Sequence, residues 1–486
     1  MQKQILITAI GLLSMCFSYA QNDIDAMRYS QITFGGTARF ASMAGSMGAL
    51  GGDISTLSFN PAGIAIFKKT ELSISTAVFS QTTNSVYNAN SSSDSKLNFN
   101  LGNIGFVANI NLINEKNTTG WENLNFGFGY NRTNNFHNRM DIQGDNKSSS
   151  LLDVFVANAN GNTPSEFDSF STGLAWQAWL INSIVNDTNY YNHVVPNYGI
   201  KQRKLLETTG SMGETVISFG GNYKSKLYLG GTIGFPRIRY NEETTFEEID
   251  EKDTIANFKK FTYGQNLATS GNGVNLKLGA IIRPNDWVRI GIAVHTPTAL
   301  SLNDKYSSYM TSDLDNGITY DSIDSPDGEF NYKITTPFKV IGSVGLVIKK
   351  IGILNIDYEY LDYSTAQLHP QQSEPNVFSD VNTLIRSKYT NTGNLRVGGE
   401  VRLDPIAVRV GYALYGSPFK NNENKNASRS SYTAGIGYRH DNYFIDFAYV
   451  LTKYDEFNYL YDSPKATIVE NSYKNSSFML SLGLRF

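Results

Sequence analysis

Cysteine is almost absent from this 486-residue chain: the single one, Cys16, lies in the apolar run from Ile5 to Phe17. One thiol forms no internal disulfide framework and no cysteine-ligated zinc centre. Histidine is nearly as scarce. His137, His193, His295, His369 and His440 are scattered, with no closely spaced metal-ligand pair and no nucleophile motif beside them, so no catalytic residue, cofactor or metal is expected. Basic excess is missing too: 41 Lys and Arg stand against 44 Asp and Glu, a formal net charge of -3, which argues against nucleic acid as a partner. After Ala20 nothing approaches the roughly 18 apolar residues that a membrane helix needs, and helical spans are excluded. Gly45, Gly48 and Gly51 hint at a phosphate loop, but no strand precedes them and no Lys-Ser/Thr follows.

What is present begins with Lys3, the apolar run and Ser18-Tyr19-Ala20, which together have the layout of a secretory signal peptide cleaved before Gln21. Met15 is bulky where a lipoprotein signal carries a small residue, which counts against lipidation of Cys16. Further on, alternation dominates. Phe478, Leu480, Leu482, Leu484 and Phe486 are apolar, while Ser477, Ser481, Gly483 and Arg485 between them are small or polar. Leu354, Ile356, Tyr358 and Tyr360 likewise alternate with Asn355, Asp357 and Glu359, and a period of two puts each set on its own strand face.

Alternation places strands near 70–80, 97–111, 121–143, 213–224, 226–248, 257–283, 286–308, 329–349, 351–366, 388–403, 405–415, 430–440, 443–458 and 474–486, fourteen in all. Tight turns at Lys224-Ser225-Lys226, Pro284-Asn285-Asp286, Lys349-Lys350, Asp404-Pro405 and His440-Asp441-Asn442 alternate with long polar loops. Even strand number, short turns on one side and long loops on the other predict an all-β, antiparallel transmembrane β-barrel of the outer-membrane type, whose closure satisfies every backbone amide in lipid. The ionised faces then line the lumen. Asp357, Glu359, Arg396, Glu400, Arg402 and Arg409 are expected there as a cross-strand charge lattice or as a site guiding an anionic ligand, with Lys277, Arg289 and His295 on the same register.

Residues 21–69 precede the first strand, are too irregular to span and too apolar to be a free tail, and are expected inside the barrel as a plug (hatch). Within DISTLSFNPAG, Asp53 is suited to cap a short helix, Pro61 disfavours helix at Asn60, and Gly63 permits a turn toward strand one. The division expected is 1–20 signal peptide, 21–69 plug and 70–486 barrel, with the longest loop at about 144–212. In that loop Trp176, Trp179, Leu180, Ile184 and Val185 can share one helical face, either as an external capture groove or as a helix packed over the barrel mouth.

The stretch GGDISTLSFNPAGIA with its Asn60-Pro61-Ala62, the strand pair SGNGVNLKLGAIIRPNDWVRIGIAVHTP from Ser270 to Pro297, and RVGY at Arg409 to Tyr412 resemble the long-chain fatty-acid (FadL-like, toluene-transport-like) outer-membrane transporters. The resemblance covers essentially the whole mature chain. It implies a plugged fourteen-stranded barrel in a Gram-negative outer membrane that takes up hydrophobic small molecules such as long-chain fatty acids and releases them sideways at a kinked third strand. The lapse of alternation at Asn131–Asn135 is the expected place for that kink. It also implies contact with outer-membrane lipids and lipopolysaccharide, insertion by the barrel assembly machinery, and a monomer. Relatives serving as secretion or surface-attachment scaffolds, or as haem-receptor-like proteins, define the alternative. For a ligand with an acidic head, Phe34, Phe40, Met43 and Met47 in the plug are expected to contact the tail, because flexible Met and flat Phe suit an irregular apolar ligand. Arg39, Arg396 and Arg409 are the candidate cations for the head, since an unpaired buried carboxylate is costly.

Overall fold

The computed structural model describes residues 23–113, 119–184, 188–315, 317–349, 351–371, 377–420, 424 and 427–486. The expected signal peptide, Lys350 and Val185 lie outside the described residues. Fourteen antiparallel strands close into a barrel. They are β1 Glu71–Tyr87, β2 Asn90–Asn111, β3 Trp121–Asn135 continued as Asn138–Asn146, β4 Ile200–Tyr223, β5 Leu227–Ile249, β6 Lys260–Ile282 and β7 Val288–His295 with Ala299–Asp313. The circuit goes on through β8 Gly328–Thr335 with Lys339–Ile348, β9 Gly352–Asp362, β10 Asn391–Leu403, β11 Ile406–Tyr415, β12 Arg429–Arg439, β13 Tyr443–Tyr459 and β14 Ile468–Arg485. The last strand pairs with the first from Glu71 opposite Arg485 to Val86 opposite Glu470.

Pattern and burial agree in the inverse sense to a soluble protein. Leu72, Ile74 and Val78 of β1 and Phe478, Leu480, Leu482 and Leu484 of β14 are exposed, while Ser73, Ser75, Ala77 and Ser481 face inward. An apolar outer surface is stable only in lipid, and no helix of the described residues is long and apolar enough to cross a membrane. β4 has 24 residues; at about 3.3 Å per residue and about 40° of tilt such a strand rises about 60 Å, well beyond an apolar band of about 25 Å. The ends next to the long loops therefore project into water. Freed from lipid, those extensions lose strict alternation, which is why β4 starts at Ile200 rather than near 213 and the longest connection is 147–199.

The lumen is filled. Helix α1 (Asp23–Ser30) packs on helix α5 (Ser379–Lys388) of the β9–β10 connection, where the Asp23 carboxylate accepts from the Tyr389 hydroxyl at 2.7 Å and pairs with Lys388 at 2.8 Å. Helix α2 (Ala38–Ser42) and two 3₁₀ segments, Ile54–Ser58 and Pro61–Ile66, lie against the inner wall. Above, helices α3 (Leu151–Ala159) and α4 (Thr172–Gln177) and the small pair Ile181–Ser183 with Tyr190–Asn192 form a lid over the mouth.

Candidate functional site

The plug is tied to itself by hydrogen bonds that start from the DISTLSFNPAG stretch, and to the wall by Asn125 Nδ2 donating to the Ile64 carbonyl at 2.6 Å and His295 Nε2 meeting the Phe59 carbonyl at 2.7 Å. Asp53 caps Ile54–Ser58, accepting from the Ser55 amide at 2.9 Å and the Thr37 hydroxyl at 2.7 Å. Extended Asn60 ends that segment and caps the next, accepting from the Ala62 amide at 3.1 Å while its Nδ2 donates to the Gly48 carbonyl at 2.6 Å. Pro61 thus begins a second segment as well as closing the first. Gly63 corrects the turn expectation: it lies inside Pro61–Ile66, where an added Cβ would lie 3.0 Å from the Thr56 Cβ and 3.1 Å from the Gly51 Cα. Close approach, not a special turn conformation, requires glycine there.

The wall facing this motif is stripped of side chains. Gly220 of β4 pairs with Gly230 of β5, which pairs with Gly279 of β6. A Cβ on Gly230 would lie 2.5 Å from the Pro61 carbonyl carbon and 2.7 Å from the Ala62 nitrogen. The seat admits plug backbone directly.

The charged lumen residues form a lattice that holds the plug. Arg409 donates to Glu400 at 2.6 Å and to Asp446 at 2.7 Å, and Arg39 of the plug reaches Glu400 at 3.2 Å. Arg396 pairs with Glu359 at 3.4 Å. Asp357 accepts from the amides of Met47 and Gly48, both at 3.1 Å, and Lys277 pairs with Glu214. All three candidate head-group cations are thereby committed to internal carboxylates. Phe40, Met43 and Met47 are fully buried between α2 and the wall, and Phe34 alone of the four tail candidates borders open space.

That space is a cavity of about 170 Å³ beside the plug segment Gln31–Gly35. Phe34 stacks on Tyr415 at 6.3 Å between ring centres, and Ala77, Val450 and Met479 add apolar wall. Two cations line it, neither singled out by the sequence reading. Arg429 lies over the Tyr454 ring at 4.6 Å and pairs with Glu456 at 3.3 Å. Arg132 donates through Nε to the Leu101 carbonyl at 3.3 Å, whereas its Nη1 is buried without a partner and no carboxylate of the described residues lies within ion-pairing distance.

Arg132 stands where the wall changes. β2 pairs with β3 only from Asn103 opposite Asn131 to Asn111 opposite Asn123. Gly102 is the extra residue of a bulge between Leu101 and Asn103, and β3 shifts register between Arg132 and Asn134 before breaking after Asn135. The bend overlaps Asn131–Asn135, where alternation lapses. Beyond it Asn138–Asn146 pairs only with β4, which leaves the Asn90–Leu101 edge of β2 without a ladder on that side. Side chains bridge this seam: Arg139 to Asp94 at 3.1 Å, Asn98 to His137 at 3.0 Å, and Lys96 to Glu207.

The lid differs from the single helical face expected for LAWQAWLINSIV. Helix α4 stops at Gln177, Trp179 takes a left-handed φ of 56°, and Ile181–Ser183 is extended. β-branched Ile181 and the backbone-competing Asn182 and Ser183 favour that ending. Trp176 packs edge-on against Phe167 and Tyr190, Leu180 is buried, and Trp179 is exposed. Beneath the lid, Glu248, at the projecting end of β5 outside the membrane band, accepts from the Leu151 amide at 2.8 Å, Gln202 Nε2 at 2.7 Å and the Ser150 hydroxyl. Burial pushes its carboxyl up to about 7 against these donors.

The model of the family described as outer membrane protein transport protein (OMPP1/FadL/TodX) matches residues 24–485. Among solved structures, a Pseudomonas aeruginosa FadL homologue is similar over 94% of this chain and 100% of its own, with a TM-score of 0.57 at 13% identity. The P. putida toluene transporter TodX is similar over 93% of this chain and 99% of its own, with a TM-score of 0.54 at 11% identity. No curated protein matches by sequence.

Proposed function

The chain belongs to the OMPP1/FadL/TodX family of outer-membrane proteins that transport hydrophobic substrates, and from that premise we propose that its substrate is an amphipathic acid, a long-chain fatty acid for example. Its head is held by Arg132 and its tail leaves sideways through the seam between β2 and β3. The observation that carries this reading is the unpaired Nη1 of Arg132 at the junction of cavity and seam. A carboxylate arriving there gains a charge-assisted hydrogen bond without displacing an existing partner. The tail meets Phe34, Tyr415 and Met479, and each methylene kept out of water contributes about 0.8 kcal/mol. A long chain exceeds the cavity's volume, so the remainder runs into the seam, where exposed Leu97, Phe99 and Leu101 line the β2 edge.

The cavity volume itself favours a second reading. About 150 Å³ of dry apolar space holds one benzene, which suits a monoaromatic hydrocarbon, and TodX, similar in fold, is a toluene transporter. Titration of the purified protein with a fluorescent fatty acid and with toluene separates the two. Saturable fatty-acid binding weakened about tenfold by Arg132→Ala supports the acid reading. Toluene binding untouched by Arg132→Ala, with no saturable fatty-acid binding, replaces it with the aromatic one.

A further inference from the structure

At the short-turn, periplasmic end a second cavity, of about 510 Å³, opens between plug and wall. It is separated from the upper cavity by the packed plug core of Phe40, Met43, Met47 and Leu50. Its lining carries six cations, Arg39, Lys68, Lys69, Arg289, Arg402 and Arg485, and one carboxylate, Glu71. Glu71 is taken by Arg485 at 2.9 Å. Glu400, just behind, serves Arg39 and Arg402, the latter at 2.7 Å, as well as Arg409. Three cations are left without a countercharge among the described residues. Arg289 donates one Nη1 hydrogen bond to the Leu50 carbonyl at 2.9 Å and its buried Nε has no partner. Lys69 reaches only the Asp441 carbonyl, at 3.1 Å, and Lys68 stands exposed beside it.

A like-charged cluster around a hollow repels itself and is relieved by an anion, more so where low-dielectric walls focus the field. Leu50, Ile66, Val347 and Ile353 supply such walls. We propose that this periplasmic vestibule is an anion site, distinct from the substrate cavity, that takes a phosphate group, free or carried on a short apolar stem. Arg289 and Lys68/Lys69 are its binding residues and the aliphatic walls receive the stem. The group comes either from a free phosphate or from an anionic lipid headgroup of the inner leaflet.

The test is titration of the full mature protein in neutral detergent with hexyl phosphate, inorganic phosphate and hexyltrimethylammonium. Expected, in an Arg132→Ala background that removes the upper cavity's head-group cation, is saturable hexyl phosphate binding that weakens at least tenfold when Lys68→Gln/Lys69→Gln is added and again with Arg289→Gln, and weakens with added salt. The lysine variant guards against the chance that Arg289→Gln fails to fold, because neither lysine side chain bonds to the plug. Equal affinity for inorganic phosphate assigns a free anion as the source, and a strong preference for the hexyl ester assigns a headgroup; both sustain the site. Binding already lost in Arg132→Ala, binding unchanged when the vestibule substitutions are added, equal binding of the cationic amphiphile, or no saturation at all would overturn it.

Discussion

Gly230→Ala is the sharpest perturbation of the plug's seat. The new Cβ would lie 2.5 Å from the Pro61 carbonyl carbon and 2.7 Å from the Ala62 nitrogen, where unstrained contacts exceed about 3.4 Å. Both neighbours are backbone, so no rotamer change relieves the overlap and the NPAG segment must retreat by about 1 Å. Such a retreat lengthens two plug–wall anchors beyond hydrogen-bond range: Asn125 Nδ2 to the Ile64 carbonyl, now 2.6 Å, and His295 Nε2 to the Phe59 carbonyl, now 2.7 Å. At about 1 kcal/mol for each lost bond and about 1–3 kcal/mol for overpacking, plug docking weakens by about 3–5 kcal/mol. Gly342→Ala is the control, because nothing lies within 4 Å of a Cβ built there. The assay is limited proteolysis of the purified barrel together with planar-bilayer conductance. Gly230→Ala should release plug fragments and raise ionic conductance, and Gly342→Ala should do neither. Wild-type protease resistance and conductance in Gly230→Ala would refute the seat.

Asp357→Asn puts an amide where two plug N–H groups now donate to a carboxylate; at about 1.5–3 kcal/mol for a charge-assisted bond, the same proteolysis should detect a looser plug. The Glu248 carboxyl has a folded pKa raised to about 7 from 4.5. Its contribution to lid stability is therefore complete below about pH 4.5 and is lost as pH rises through 7, by about 3 kcal/mol. Hydrogen exchange of α3 amides should speed up over that interval, and Glu248→Gln should flatten the dependence. Deleting Phe486, whose amide donates to the Thr70 carbonyl at 2.9 Å at the barrel closure, should reduce the folded fraction on heat-modifiability gels; full insertion would count against a role for the terminal aromatic.

The strands were readable because lipid and lumen impose a period of two, and all fourteen stand where alternation places them. Their upper ends were not, since water beyond the membrane removes that requirement. Side-chain partnership divides differently. The Glu400–Arg409 pair was within reach, because counting back from the Asp404-Pro405 turn puts the two directly opposite each other; it would have withdrawn Arg409 as a free cation. Arg132 carries no such local mark. Its isolation arises from the β2 bulge and the β3 break, which bring Leu101 and no carboxylate beside it. The need for Gly230 is equally non-local, being set by plug backbone more than a hundred residues away, whereas that for Gly63 is set inside the plug by Thr56 and Gly51.

Sheets usually close into barrels to leave no edge, yet the Asn90–Leu101 stretch of β2 retains one. An unpaired strand edge is a template on which another extended chain can add itself. Here charges stand along it: Asp94 and Lys96 on β2, Arg139 and Glu207 opposite. A neighbouring copy docking its own β2 there would have to strip water and partners from four ionised groups, so the charges along the gap discourage self-assembly. Replacing the four with threonine should therefore yield dimers and higher oligomers in detergent, a failure of solution behaviour rather than of folding.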